Sequence, residues 1–241
     1  MSNKNNYALI KSIIMHLVPG IIITFAYFLF VPIVKHFEFP YDLALLISVL
    51  LVLVPIEFGI LLYVTKKQTN TFNIKTQIPY LEKSSLKEYL MFIPIMAIYA
   101  LLVSNLLNPI ELTIRDNIFA FIPSESIMIS YDTTIFTKEK LLLTAILSVL
   151  INGFIAPITE EIYFRGYLLP LVNLSPLKAT VLNAVLFSLY HFYSPWHFFS
   201  RVIMMIPLYY WVVKKKNIRF SIIAHVVANL FTSLSFLISI L

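Results

Sequence analysis

Long apolar runs separated by short polar linkers are the feature that most limits what this chain can fold into. Hydrophobic residues fill 59% of the 241 positions and charged residues only 12%. A run of nearly 20 apolar residues can cross the ~30 Å hydrocarbon core of a bilayer as a helix, whereas soluble domains carry about a quarter charged residues. We therefore predict an all-α, polytopic transmembrane helical bundle of about seven spans, with six to eight possible. The predicted spans are 13–34, 41–64, 90–107, 141–164, 179–193, 197–213 and 220–241.

The positions of the basic residues predict how these spans are oriented. Lys and Arg accumulate on the cytoplasmic side of membrane proteins. With a cytoplasmic N-terminus, all but five of the 18 Lys and Arg residues fall on that side, the exceptions being Lys35, Arg115, Lys138, Lys140 and Arg201. We predict a multi-pass protein with its N-terminus in the cytoplasm. The many Lys, Asn and Ile residues favour a bacterial cell membrane.

Charge and cysteine content exclude several classes of function. The net charge of +6 comes from short basic runs between apolar segments, which are typical of topology signals and not of a nucleic-acid-binding face. The absence of cysteine excludes disulfides, thiolate catalysis and cysteine-ligated metal centres. The predicted partner at this point is therefore the lipid bilayer, without nucleic acid.

Ionisable side chains inside the predicted spans are the candidates for function, because each costs about 2.5 to 3.5 kcal/mol to insert into a membrane. Residues four apart share a helix face, so Glu161 can pair with Arg165 and His225 with Asn229. Two ionised acids side by side would repel each other. We expect Arg165 to hold one acid as a carboxylate and the other to serve as a general base. The candidates lie in the last third of the chain, at Glu160, Glu161, Arg165, His191, His225 and Asn229.

A turn signal at residues 173–176, "NLSP", predicts that two of these candidates face each other. Glu160 lies fifteen residues before Ser175 and His191 sixteen residues after it. In a continuous helical hairpin both would lie ~22 to 24 Å from the turn. His225 lies only six residues from Arg219. The three side chains therefore meet only if the hairpin projects beyond the membrane surface or the fifth span is offset.

Taken singly, each candidate also has a structural interpretation. An acid–arginine pair can lock two helices together, and histidine or asparagine can form interhelical hydrogen bonds. Glu57 in the second span is predicted to pair with Arg165 or Arg201 in such a role. His197, beside Trp196, is typical of an interfacial anchor. A functional site is favoured because the acid pair, the two histidines and Asn229 can all be brought together.

Three helix motifs resemble a known family. "EEIYFR" at 160–165 matches EExxxR, "FSLYH" at 187–191 matches FxxxH, and "HVVAN" at 225–229 matches HxxxN, all in the family's order. The chain thus resembles the CPBP family of CAAX proteases and bacteriocin-processing (Abi) proteins, which includes the Ras-converting CAAX endopeptidases. The resemblance implies a catalytic helical core at 141–241, preceded at 1–140 by N-terminal transmembrane helices and their linkers.

The function that this resemblance implies is intramembrane proteolysis of a membrane-associated protein or peptide, lipidated or not. In that mechanism Glu160 would activate water with the help of His191. His225 and Asn229 would stabilise the oxyanion, while Glu161 and Arg165 would position the base. Such hydrolysis needs an activated nucleophile and a donor where negative charge develops.

Other mechanisms and functions fit the same residues less well. Glu160, His191 and His225 can ligate zinc with a water as fourth ligand, but the HExxH motif that pre-orients such ligands is missing. We favour the metal-free version, with no cofactor firmly predicted and zinc as the alternative. GxGD and GxS, the marks of aspartyl and rhomboid-like proteases, do not occur. A non-catalytic scaffold or bacteriocin-immunity protein of the same fold is the alternative function, and a transporter ranks last.

Overall fold

Helices make up most of the chain. The computed structural model describes residues 2–122 and 133–241, with side chains from residue 7 onward, and within those residues it contains no β-strand. This confirms the predicted all-α membrane bundle. The helices are α1 (Ser2–His36), α2 (Asp42–Thr69), α3 (Leu86–Ile118), α4 (Lys138–Leu171), α5 (Pro176–Tyr190), α6 (Phe198–Lys215) and α7 (Arg219–Ile240).

Five of these helices are long and apolar enough to cross a membrane, namely α1, α2, α3, α4 and α7. Helix α5, in the predicted fifth span, has 15 residues and is about 22 Å long, which is less than the ~30 Å of a bilayer core. Helix α6, in the predicted sixth span, has 18 residues and carries Arg201, Lys214 and Lys215. The protein is thus multi-pass, while the count of seven spans, the orientation and the boundary at residue 140 stay predictions.

The start of α3 is joined to the end of α6. Ser85 and Glu88 form a capping box, in which the Ser85 hydroxyl accepts from the Glu88 N–H at 3.3 Å and the Glu88 carboxylate accepts from the Ser85 N–H at 2.9 Å. The same carboxylate pairs with Lys215 at the end of α6. Lys216, the residue after α6, has the left-handed conformation with φ of 46°. The chain turns there and soon enters α7.

The linker between α2 and α3 covers this end of the bundle. Ile78 is buried in a cluster with Val212, Ile218 and Phe220. The Ile218 N–H donates to the Tyr80 carbonyl at 3.0 Å. Ile218 and Phe220 at the start of α7 are thus buried beside the linker, while Arg219 between them is exposed.

Helix α4 contains two stretches of wider π-helical turns, Ile151–Ile155 and Glu161–Leu168. Such turns inside an α-helix occur frequently at functional sites. Here they lie on either side of Pro157, and the second begins at the second acid of the EExxxR motif. The π turns change which side chains of α4 face inward.

Helix α1 packs closely against α4 and α5. Gly20 lies so near the Tyr190 carbonyl that an added methyl group would overlap it. Asn183 Nδ2 donates to His16 Nε2 at 3.0 Å and to the Phe164 carbonyl at 3.2 Å. The N-terminal helix therefore supports the two helices that carry the EExxxR and FxxxH motifs.

Candidate active site

Four of the six predicted site residues line one cavity of about 710 Å³: Glu160, His191, His225 and Asn229. The other two, Glu161 and Arg165, are fully buried behind its wall. Glu160 and His191 thus lie on the same cavity, as the hairpin spacing predicted.

The two adjacent acids have different surroundings. Glu161 has two partners: its Oε2 lies 3.2 Å from Arg165 Nε in the predicted ion pair, and its Oε1 accepts from His225 Nδ1 at 2.9 Å. Glu160 lies on the cavity, with its Oε2 3.9 Å from His225 Nε2. One acid is therefore held by a cation and a ring nitrogen, while its neighbour faces the space that a ligand can enter.

Arg165 is enclosed by aromatic rings. The carbon of its guanidinium group lies 3.8 Å from the ring centroid of Phe187 and 3.8 Å from that of Tyr209. Such contacts contribute about 2 kcal/mol or more where the cation is desolvated. Phe187, the first residue of the FxxxH motif, thus packs against the last residue of EExxxR. Tyr209 belongs to none of the three motifs.

His191 is oriented by its own helix. Its Nδ1 lies 2.8 Å from the Phe187 carbonyl. Because a carbonyl can only accept, Nδ1 carries the proton, and in the neutral ring Nε2 has the free lone pair. The ring also packs edge-on against Phe187 and Tyr190. His191 is thus fixed in a tautomer whose Nε2 can accept a proton.

His225 reaches Glu160 because the hairpin of α4 and α5 extends past the start of α7. Ile218, the residue before α7, packs beside Gly166, and α4 continues for about 7 Å beyond Gly166 to Leu171. Whether the hairpin also projects beyond the membrane surface stays a prediction.

Asn229 has a partner that the sequence did not predict. Its Nδ2 donates to the Asn152 carbonyl at 2.9 Å, with Asn152 Oδ1 at 3.5 Å. Among the described residues, Asn229 and His225 form no hydrogen bond with each other, although their spacing allowed one. Asn152 also lines the cavity, and its side chain donates to Ser233 Oγ at 3.1 Å. The sequence signal that could have identified Asn152 is its position in an apolar run, five residues before Pro157.

Two residues outside the predicted site differ from expectation. Glu57 is fully buried, but among the described residues it forms no ion pair with Arg165, which pairs with Glu161, or with Arg201, which donates to Ser194. His197 has a partner that the sequence did not predict: its Nδ1 lies 2.7 Å from Glu111 Oε2 on the wall of the same cavity. Both acids are in the N-terminal half, where no motif identified their partners.

The zinc alternative finds no support in the arrangement of side chains. Across the part of the chain that the structure describes, no three His, Asp or Glu side chains are placed to hold a metal ion. The Nδ1 atoms of His191 and His225 are directed at the Phe187 carbonyl and the Glu161 carboxylate, which leaves the two Nε2 atoms as the possible ligands. Glu160, His191 and His225 share a cavity without converging on one point.

Comparison with known proteins points to one family. A family model described as type II CAAX prenyl endopeptidase Rce1-like matches residues 142–231. No curated protein and no solved structure gives a significant match to the chain. The matched segment contains all three motifs and all six predicted site residues. Residues 142–231 thus resemble the Rce1-like CAAX proteases, which supports the family that the three motifs predicted.

Proposed function

We propose that the protein is an intramembrane endopeptidase that hydrolyses a peptide bond of a membrane-associated protein or peptide by glutamate-activated water. The observation that carries this proposal is that the two adjacent acids have different contacts. Glu161 is held by Arg165 and His225, while Glu160 faces the cavity that His191 and Asn229 also line. A general base has to reach the substrate, and Glu160 is the acid that can.

The proposed reaction uses these side chains as follows. Glu160 accepts a proton from water as the water oxygen attacks the scissile carbonyl carbon. The carbonyl oxygen becomes an oxyanion, which accepts hydrogen bonds from the side chains of Asn229 and His225. The C–N bond then breaks, and the proton taken from water passes to the leaving amine through Glu160 or His191 Nε2. The products are one carboxylate and one amine.

Glu161 and Arg165 act through their neighbours. Glu161 accepts from His225 Nδ1 and so directs Nε2 of that ring toward Glu160. Arg165 balances the buried charge of Glu161, and the rings of Phe187 and Tyr209 fix its position. Both are positioning residues, since neither lines the cavity.

The cavity wall favours an apolar substrate. Outside the polar cluster it includes apolar side chains from several helices, among them Leu53, Met96, Met205 and Leu208. Such a surface stabilises apolar side chains or a lipid group by removing them from water. This supports a lipidated or otherwise apolar peptide as substrate.

The test compares purified wild type with Glu160→Gln on a library of farnesylated and unmodified peptides, with and without a chelator. We expect cleavage by the variant to be about 10²- to 10⁴-fold slower, the usual contribution of a general base. Glu111→Gln is the matched control, because Glu111 is also a buried acid beside a histidine on the same cavity. It should cleave at nearly the wild-type rate.

Each other outcome has a definite meaning. Undiminished cleavage by Glu160→Gln would exclude Glu160 as the base. Cleavage that is lost with chelator and restored by zinc would support the metal-dependent version. If wild type and Glu160→Gln bind the same peptides equally and neither cleaves any, the non-catalytic scaffold or immunity protein is the better interpretation.

A further inference from the structure

One carbonyl group in α4 has lost its partner within the helix. In the π-helical stretch Ile151–Ile155, the Ala156 N–H donates to the Ile151 carbonyl, five residues back. The next donor in this register would be residue 157, directed at the Asn152 carbonyl. Residue 157 is proline and has no N–H. The Asn152 carbonyl is therefore free to accept a hydrogen bond from outside its helix.

The donor that reaches this carbonyl is the side chain of Asn229 in α7. Asn229 Nδ2 lies 2.9 Å from the Asn152 oxygen. An amide nitrogen carries two hydrogens in one plane. If the Asn152 carbonyl holds one of them, the plane of the amide is fixed and the second hydrogen has a defined direction. Asn229 lines the cavity beside His225 and Glu160, so that direction matters for any oxyanion formed there.

Asn152 is itself held in place. Its Nδ2 donates to Ser233 Oγ at 3.1 Å, and Ser233 also accepts from Ser148 Oγ at 3.0 Å. Ser148 lies one turn before Asn152 in α4, and Ser233 lies one turn after Asn229 in α7. Hydrogen bonds in a low-dielectric interior strengthen one another. This neutral network joins α4 to α7 at the level of the cavity.

We infer that Asn152 is a further positioning residue, whose backbone carbonyl, left free by Pro157, directs the Asn229 amide into the cavity. The inference rests on the proposed function, in which Asn229 is an oxyanion donor. It assigns a role to a backbone atom outside the three motifs. It also explains why a proline lies inside α4, three residues before Glu160.

The variant that tests this inference is Pro157→Ala. It supplies an N–H that competes for the Asn152 carbonyl, while Pro157 itself does not line the cavity. On the best farnesylated peptide of the library, we expect kcat to fall about tenfold with little change in KM, part of the ~10²- to 10³-fold effect of removing an oxyanion donor. Pro170→Ala, near the end of the same helix, is the matched control and should leave kcat unchanged.

A double-mutant cycle separates this role from a general effect on folding. If Pro157 acts through Asn229, then Pro157→Ala has no further effect on kcat in an Asn229→Ala background. An equal loss of kcat in both backgrounds would overturn the inference. So would an unchanged kcat in Pro157→Ala alone.

A second measurement does not depend on activity. In protein labelled with ¹⁵N-asparagine, the two amide hydrogens of Asn229 are assigned by their loss in Asn229→Ala. We expect one of them to exchange slowly with solvent in wild type and rapidly in Pro157→Ala. Equal exchange in both proteins would contradict the role of the Asn152 carbonyl even if peptide cleavage is found. Conversely, if wild type cleaves no peptide but the exchange rates differ as expected, the role of the Asn152 carbonyl stands and only the proposed function fails.

Discussion

Two acid–histidine pairs line or adjoin the same cavity, and they differ in what surrounds them. We call Glu161–His225 the motif pair and Glu111–His197 the second pair. The oxygen–nitrogen distance is 2.9 Å in the motif pair and 2.7 Å in the second pair. By distance alone the second pair would be the stronger candidate for catalysis.

The surroundings reverse that ranking. His225 lies between two acids, since its Nε2 is 3.9 Å from Glu160, and its side chain is 11% exposed. The side chain of His197 is 31% exposed, and Glu111 Oε1 has no hydrogen-bond partner among the described residues. A short acid–histidine contact therefore does not mark the site. The candidate site is instead distinguished by Glu160, an acid that faces the cavity. This arrangement depends on Arg165, the buried cation that pairs with the neighbouring Glu161.

The largest effect is expected from removing that cation. Arg165→Met leaves the Glu161 carboxylate buried without a positive partner, and breaking such a pair destabilises a protein by about 3 to 5 kcal/mol. Arg201→Met is the matched control, because Arg201 is only partly buried and its hydrogen bonds go to Ser194. Thermal unfolding in detergent measures both. Equal losses in melting temperature would show that the motif pair does not depend on Arg165.

Sequence reasoning succeeds where spacing within one helix determines which side chains share a face, although it did not predict the contact between Glu161 and His225. The Glu161–Arg165 ion pair follows directly from four-residue spacing. The presence of Glu160 and His191 on one cavity agrees with the predicted antiparallel hairpin, whereas the hairpin did not predict that His225 reaches the same cavity. The all-α fold follows from the apolar runs.

What the sequence could not supply are contacts that depend on tertiary packing or on a change of helical register. Tyr209 contacts Arg165 from a helix without a motif. Asn152 meets Asn229 because π turns and Pro157 free its carbonyl, and side-chain periodicity carries no sign of a free backbone group. The second pair joins residues 86 positions apart. Glu57 lacks the predicted cationic partner because burial alone does not place one.

An intermediate loss of stability is expected from a substitution where α1 packs against the end of α5, next to His191. Gly20→Ala places a methyl group against the Tyr190 carbonyl, and such overpacking costs about 1 to 3 kcal/mol. Because Tyr190 precedes His191, cleavage should also slow. Gly59→Ala is the control: in the described part of the chain, no atom outside the adjoining helix backbone lies within 4 Å of the added methyl group, and alanine in a helix is favoured over glycine by up to about 1 kcal/mol.

Melting temperature and peptide cleavage separate the two glycine variants. We expect Gly20→Ala to lower both and Gly59→Ala to leave cleavage unchanged while its melting temperature stays equal or rises. If Gly20→Ala melts and cleaves like wild type, then α1 can move away from α5 without disturbing His191, and the motif pair is enclosed by α4, α5 and α7 alone.

The smallest effect is expected from the second pair itself. In Glu111→Gln the side-chain oxygen can still accept a hydrogen bond from His197 Nδ1, and what is lost is the charge beside a partly exposed ring. Because this hydrogen bond is kept and the His197 ring is partly exposed, the melting temperature should change little and cleavage should stay within about threefold of wild type. His197→Gln should behave in the same way, because neither residue belongs to the set around Glu160. A loss of cleavage in both variants as large as that in Glu160→Gln would contradict this expectation. It would mean that the second pair is catalytic and that the three motifs only stabilise the fold around the cavity.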